Sequence, residues 1–291
     1  MDWAEALLLG ILQGLTEWLP VSSSGHLALA QHFLGDVPLV VDILLHFGTL
    51  VVLLVFFRKE ALMLGGATRA ALADLARGKG WEKSVKSVPE RRLAYHILLA
   101  LAPTAVLALS FRFYFGNSLF SNLAVVAAGF AVSGAVLAAT WRTGTAPKNG
   151  TVPDATGGGP RGRTLEELGP GDSLRVGLAQ GVAFLPGFSR SGLTIGTGLL
   201  TGMEGETAGR YSFLISLPAV LGAMLLELPS ASALPADQLL MALVATAVAS
   251  VVGYASLGLL MRLLKKGGVH WFAPYCFLLC GFTIAVVMGV F

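Results

Sequence analysis

Two stretches of this chain decide its fold: GILQGLTEWLPVSSSGHL at residues 10–27 and GLAQGVAFLPGFSRSGLT at residues 177–194. Aligned without a gap at an offset of 167 residues, they share Gly10/Gly177, Gln13/Gln180, Gly14/Gly181, Ser22/Ser189, Ser24/Ser191 and Gly25/Gly192, while Pro20 and Pro186 miss register by one. Each copy is an apolar run broken by proline, then a Ser/Gly cluster, then more apolar sequence. Broken backbone at bilayer depth survives only where it is buried in protein or lines a polar cavity. Two such breaks at matching places in two halves point to a binding site. The copies also differ: Glu17, Ser23 and His26 of the first stand opposite Phe184, Arg190 and Leu193 of the second.

Outward from these motifs the chain is apolar. Of 291 residues, 55% are hydrophobic and 13% charged, with mean hydropathy +0.73, against about 25% charged in soluble domains. This composition predicts an all-α integral membrane protein. Stretches long enough to cross a core of about 30 Å as helices lie at 38–57, 93–111, 121–141, 207–227, 237–260 and 268–291. Segments 3–19 and 24–35, and again 174–186 and 191–202, are too short to span and read as half-helix pairs forming re-entrant hairpins over 3–35 and 174–202. The expected organisation is a first membrane repeat at 1–141, a flexible cytoplasmic linker at 142–173 rich in Gly, Pro and Thr, and a second repeat at 174–291. The start MDWAEALLLG has no basic leader, so no cleavable signal is expected. Cys276 and Cys280 share one face of the last helix, where a disulfide is geometrically poor, and packing is the expected role.

Charge bias orients the chain. Segment 58–92 holds nine basic residues, 112–120 only Arg112, 142–175 five, 228–236 none and 262–266 three. The basic segments belong on the cytoplasmic side. Helix 38–57 then runs inward and helix 207–227 outward, so the two repeats have inverted topology and their Ser-rich tips meet near the bilayer midplane. LGGATRAALADLARG, within 58–92, is weakly amphipathic and suits the inner membrane surface. No clustered basic domain suggests nucleic acid.

The polar residues inside the membrane carry the chemistry. Gln13 and Glu17, four apart, share a helix face, and an ionisable group at this depth faces a cavity or partner. Ser22, Ser23 and Ser24 with Gly25 precede a half-helix whose free N–H groups make an anion site. His26, in its first turn, could serve as acid, base or nucleophile. Arg190, between Ser189 and Ser191, demands an anionic partner: phosphate, or Glu17 as a salt bridge. Gly187 and Gly192 permit close backbone approach. Asp42 and His46 form a second polar layer or brace the loop. Arg210 is expected to snorkel to the inner surface, and Glu204, Glu206, Glu227 and Asp237 to be solvated helix ends. A carboxylate, hydroxyls and imidazole facing a guanidinium suit phosphoryl transfer.

QGLTEWLPVSSSGH at 13–26 resembles the [E/Q]xxxE and PVSSxGH segments of the undecaprenyl-diphosphate phosphatases, or bacitracin-resistance proteins, and PGFSRSGLT at 186–194 resembles their PGxSRSGxT signature. The resemblance includes DILLHFGTL at 42–50 and leaves out only the linker. It implies hydrolysis of the terminal phosphate of undecaprenyl diphosphate, recycling the carrier lipid for cell-wall synthesis and conferring bacitracin resistance. It also implies a site opening to the outer face of the cytoplasmic membrane and a divalent cation, Mg²⁺ or Ca²⁺. Carried over by position, Glu17, Ser23, His26 and Arg190 would be catalytic. Gln13, Ser22, Ser24, Gly25, Gly187, Ser189, Ser191 and Thr194 would bind substrate, and Glu17 with Gln13 would hold the metal. Many family members have Glu at the position of Gln13, which leaves Glu17 as the single carboxylate. The nucleophile stays open between Ser23, His26 and water, and a homodimer is left open. The rival reading is a transporter or flippase of polyprenyl phosphate, since inverted repeats with broken helices also build transporters.

Overall fold

The computed structural model describes all residues except 36, 116–118, 120–121, 144–161, 231–233 and 291. The described residues are almost wholly helical: α1 (Trp3–Thr16), α2 (Ser23–Leu34), α3 (Leu39–Phe56), α4 (Arg58–Ala76), α5 (Pro89–Phe115), α6 (Leu123–Ala139), α7 (Pro170–Val182), α8 (Arg190–Leu200), α9 (Gly205–Glu227), α10 (Ala236–Lys265) and α11 (Ala273–Val287). Among the described residues the one β contact is an isolated bridge between Arg163 and Met203. Six helices, α3, α5, α6, α9, α10 and the stretch Val269–Val287 that contains α11, are long and apolar enough to span a membrane. They stand where the sequence predicts spans, although α5 and α10 outrun 93–111 and 237–260 at both ends. The amphipathic stretch after α3 is a full helix, α4, with Leu62 and Leu72 exposed.

Local chemistry sets the helix ends that matter. Asp2 and Glu5 form a reciprocal capping box at the start of α1. Ser22 and Ser189, matched in the two copies, each cap a short helix through the N–H three residues on, at 3.2 Å to Gly25 and 3.0 Å to Gly192. Lipid gives helices little hydrophobic reason to associate, so close backbone packing at small residues has to do it. Gly10 of α1 lies on the Ala245 carbonyl of α10, and its counterpart Gly177 of α7 lies on the Ala100 carbonyl of α5; a Cβ at either would overlap that oxygen. Each half thus lends its first half-helix to a long helix of the other. Large side chains such as Val251, Leu278 and Phe113 point outward, as suits a lipid-facing surface.

Helices α3 and α9 run in opposite directions. Arg210 near the start of α9 pairs with Glu60, just past the end of α3, at 2.8 Å, while Asp42 and Glu227 from the opposite ends line one cavity. Arg210, expected to snorkel, is partly exposed and ion-paired with Glu60, and Glu227, expected as a solvated helix end, closes α9 and also lines the cavity. Most of the expected linker, 144–161, lies outside the described residues. Its end is not loose: Arg163 forks onto Asp172 at 2.7 and 2.9 Å and reaches the Thr201 carbonyl at 2.7 Å. Two charge-assisted bonds in fork geometry give this Gly- and Pro-rich stretch the partner that its composition hides.

Candidate active site

The two broken helices meet tip to tip. After Glu17, at the end of α1, the chain turns through Trp18–Val21 to Ser22, whose φ of 67° is left-handed and unusual for a residue with a Cβ. That backbone is held by its own helix: the Ser22 carbonyl accepts from the His26 backbone N–H at 3.2 Å and from His26 Nδ1 at 2.7 Å. In the second half Gly187 has φ of 85° and lies against the Val126 backbone. Its N–H donates to Ser24 Oγ at 3.3 Å, and Ser191 Oγ donates to the Leu19 carbonyl at 3.1 Å. Ser133 Oγ accepts the Ser189 N–H at 2.8 Å, so α6 fixes the second tip as well.

Glu17 is the hub of the meeting point. Its Oε2 accepts from Ser23 Oγ at 2.6 Å and Gln13 Nε2 at 3.1 Å, and its Oε1 accepts from Arg190 Nη2. His46 Nε2 stands 3.9 Å from Oε2. Because His46 Nδ1 donates to the Asp42 carbonyl at 2.8 Å, Nε2 is the free nitrogen facing the carboxylate. Both partners of the Glu17–Arg190 pair are largely buried. A buried charge is tolerated only with good geometry and further hydrogen bonds, and Glu17 has both. Arg190 does not use its whole fork: Nη1 is buried with no partner.

A cavity of about 590 Å³ opens above this cluster. Glu17, Ser22, Ser23, Ser24, Ser189 and Arg190 line it, with Gln31, Asp42 and His46 forming a second polar layer where Gln31 Nε2 donates to Asp42 at 3.1 Å. Leu101, Ala105, Ala108 and Leu109 of α5 and Pro218 and Val220 of α9 make apolar walls. Other expected site residues stand behind the lining. Gln13 braces Glu17, Gly25 and Gly187 sit where Cβ atoms would overlap neighbours, Ser191 ties to Leu19, and Thr194 Oγ1 donates to the Arg190 carbonyl at 2.7 Å.

His26 is not brought to the cluster. A carbonyl can only accept, so Nδ1 carries the proton to Ser22, and Nε2 accepts from the Tyr275 hydroxyl at 2.8 Å. Its ring lies between Tyr275 and Phe130, with both nitrogens engaged away from the cavity. Tyr275, 249 residues away on a lipid-facing helix, carried no signal in the sequence. Thr104 was missed too: it accepts from Gln180 Nε2 at 3.3 Å in the cavity wall. The repeat alignment, which pairs Gln180 with Gln13, was the available clue.

Among the described residues no three His, Cys, Asp or Glu side chains converge as metal ligands. Glu17 is the single carboxylate of the floor, and Gln13 turns its amide N–H towards it while Oε1 stays buried and unpartnered. This donor set suits a hard cation only as Mg²⁺ is commonly held, by one carboxylate together with substrate phosphates.

A family model described as "Bacitracin resistance protein BacA" matches residues 6–282. The undecaprenyl-diphosphatase of Desulforapulum autotrophicum is 41% identical over 99% of each chain. Proteins of the same name from Korarchaeum cryptofilum, 37% identical over 95% of this chain and 96% of their own, and Methanobrevibacter smithii, 34% identical over 99% and 98%, are also similar.

Proposed function

This chain belongs to the bacitracin resistance protein BacA family, and on that premise we propose that it hydrolyses undecaprenyl diphosphate to undecaprenyl phosphate and inorganic phosphate. One observation carries the reading: Arg190 from the second half meets Glu17 and Ser23 of the first at the polar floor of an apolar-walled cavity. The walls of α5 and α9 suit the first isoprene units, and the rest of the tail lies in lipid.

The chemistry follows from the donors present. Arg190, through its unpartnered Nη1, and the hydroxyls of Ser22 and Ser24 hold the terminal phosphoryl oxygens beside the N-termini of α2 and α8. Ser23 Oγ attacks phosphorus, passing its proton to Glu17, to which it already donates at 2.6 Å. The bond from phosphorus to the bridging oxygen breaks, and undecaprenyl phosphate leaves with the proton from Glu17. Water then attacks phosphorus of the phosphoserine and gives a proton to Glu17; the bond from phosphorus to Ser23 Oγ breaks, Glu17 returns that proton to Oγ, and inorganic phosphate leaves. Glu17, with Gln13 behind it, would hold a divalent cation that neutralises phosphate oxygens. His26 acts through the Ser22 backbone as a positioning residue.

The location is part of the proposal. Charge bias places the start of α3 and the ends of α5 and α9 outside, and those ends bound the cavity. The site therefore faces the outer side of the cytoplasmic membrane, between two inverted repeats. Purified protein in detergent should release phosphate from undecaprenyl diphosphate, and Glu17→Ala or Arg190→Ala should nearly abolish the release. Detergent offers no second compartment, so absence of release from folded wild-type protein sinks the hydrolase reading and leaves the flippase.

A further inference from the structure

Trp18 follows Glu17 in sequence and is 1% exposed. The Arg190 guanidinium carbon lies 5.6 Å from its ring centroid. Phe213 of α9 meets the indole edge-on at 5.7 Å, and Gly253 of α10 makes room for it, since a Cβ there would stand 3.2 Å from Nε1. The indole N–H itself is buried with no acceptor. An unpartnered buried donor is costly, and phenylalanine would fill the aromatic contact without that cost. The indole is then explained by its face, because tryptophan is the strongest of the aromatic platforms for a cation.

We propose that Trp18 is a positioning residue that holds Arg190 in its phosphate-binding pose and thereby sets how tightly the site takes a diphosphate; this rests on the phosphatase reading above. Arg190 has three directions to satisfy. Nη2 goes to Glu17, the ring of Trp18 stands under the guanidinium, and Nη1 is left without a protein partner. Without the platform the long side chain is free to fold both nitrogens onto the Glu17 carboxylate. Fewer donors then remain for phosphate, and the carboxylate is less available to Ser23.

The test is the kinetics of phosphate release from undecaprenyl diphosphate by the full chain in detergent. Compared are wild type, Trp18→Phe, Trp18→Leu and a series with fluorotryptophans of rising fluorine content placed at position 18 alone. Fluorine weakens the ring's hold on a cation while nearly preserving its shape, which keeps the test alive if the Leu variant does not fold. KM should climb stepwise with fluorination, by about 2- to 30-fold at the end of the series. The Phe variant should fall between, and kcat should change less than KM. A residue that merely fills the core lowers Vmax with the folded fraction and leaves KM alone, so a flat KM across the fluorinated series overturns the proposal. If wild type releases no phosphate, the phosphatase reading fails by itself. The Kd of inorganic diphosphate, read by thermal shift across the same series, then tests Trp18 independently.

Discussion

Replacing Glu17 by glutamine should separate binding from catalysis in opposite directions. The carboxamide is nearly isosteric but keeps one acceptor oxygen where Glu17 offers two, Oε2 to Ser23 and Oε1 to Arg190; it carries no charge and is a very weak base. Removing a general base typically costs about 10²- to 10⁴-fold, so kcat should fall by about that factor. Binding should move the other way. Arg190 Nη2 now spends a charge-assisted bond on Glu17 Oε1. Bonds to charged partners contribute about 1.5–3 kcal/mol and neutral ones about 0.5–1.5 kcal/mol, so the variant frees about 1–2 kcal/mol of Arg190 for a phosphate. With divalent cations removed by EDTA, so that the metal role of Glu17 does not enter, inorganic diphosphate should therefore bind Glu17→Gln about 5- to 30-fold more tightly than wild type. The variant should also melt lower without ligand, because a buried cation has lost its counter-charge, and inorganic diphosphate should restore more of its melting temperature than it does for wild type. The assays are phosphate release, binding of inorganic diphosphate and thermal unfolding in one detergent. If kcat holds within about 10-fold, Glu17 is not the base; if the variant melts normally and binds inorganic diphosphate more weakly, Glu17 is not the restraint on Arg190.

Ser23→Ala should abolish turnover, and rapid-quench labelling should find phosphoserine in wild type and none in the variant; turnover by Ser23→Ala would move the nucleophile to water. Tyr275→Phe leaves His26 Nε2 without its donor and should lower unfolding free energy by about 1–3 kcal/mol, whereas His26→Gln, retaining a donor for the Ser22 carbonyl, should keep measurable activity that His26→Ala lacks. Gly187→Ala should lower unfolding free energy by about 2–5 kcal/mol, because φ of 85° disfavours a Cβ and the Val126 backbone fills its space. At the start of α7, burial pushes the Asp172 carboxyl up, but Arg163 and the Gly169 N–H outweigh that and hold it below the usual carboxylate range. Its contribution to stability is full above the unfolded carboxyl value and is lost as pH falls through the lower folded value. Arg163→Ala should accordingly melt lower at neutral pH and lose less between pH 7 and acid than wild type, which pH-dependent thermal scans would read.

Much of this was legible before any coordinate. Pro20 and Pro186 break their apolar runs, and the chain is broken there; the charge counts call for opposed α3 and α9, and Arg210–Glu60 shows them opposed. Glu17 with Arg190 was readable because each is costly alone at that depth. The rest depends on partners that no spacing reports. His26 sits in the most telling segment of the chain, yet its role is decided by Tyr275, which reads in sequence as an ordinary lipid-facing aromatic. Trp18 looks interfacial beside a carboxylate, and only the arrival of Arg190, Phe213 and Gly253 from the other half buries it. Asp172 was lost in the composition of RTLEELGPGDS, where Gly and Pro advertise mobility and one arginine supplies the restraint.

Gln13 and Gln180 show why the duplication yields one site. They are the same residue at matched positions of matched helices, each with its amide oxygen buried and unpartnered. Four residues on, the first copy has Glu17 and the second Phe184, so Gln13 donates to a carboxylate while Gln180 turns to Thr104 of α5. One residue before the second capped-tip serine, the first copy has Ser23 and the second Arg190. Had the second tip also carried a glutamate, at position 184, two like charges would share a cavity of about 590 Å³ and compete for the one guanidinium of Arg190. Had the first tip carried the arginine, at position 23, the hydroxyl that donates to Glu17 would be lost. The mismatched pair leaves a neutral cluster in which Arg190 keeps one buried N–H group, Nη1, without a protein partner, a donor whose unsatisfied cost an anion would relieve.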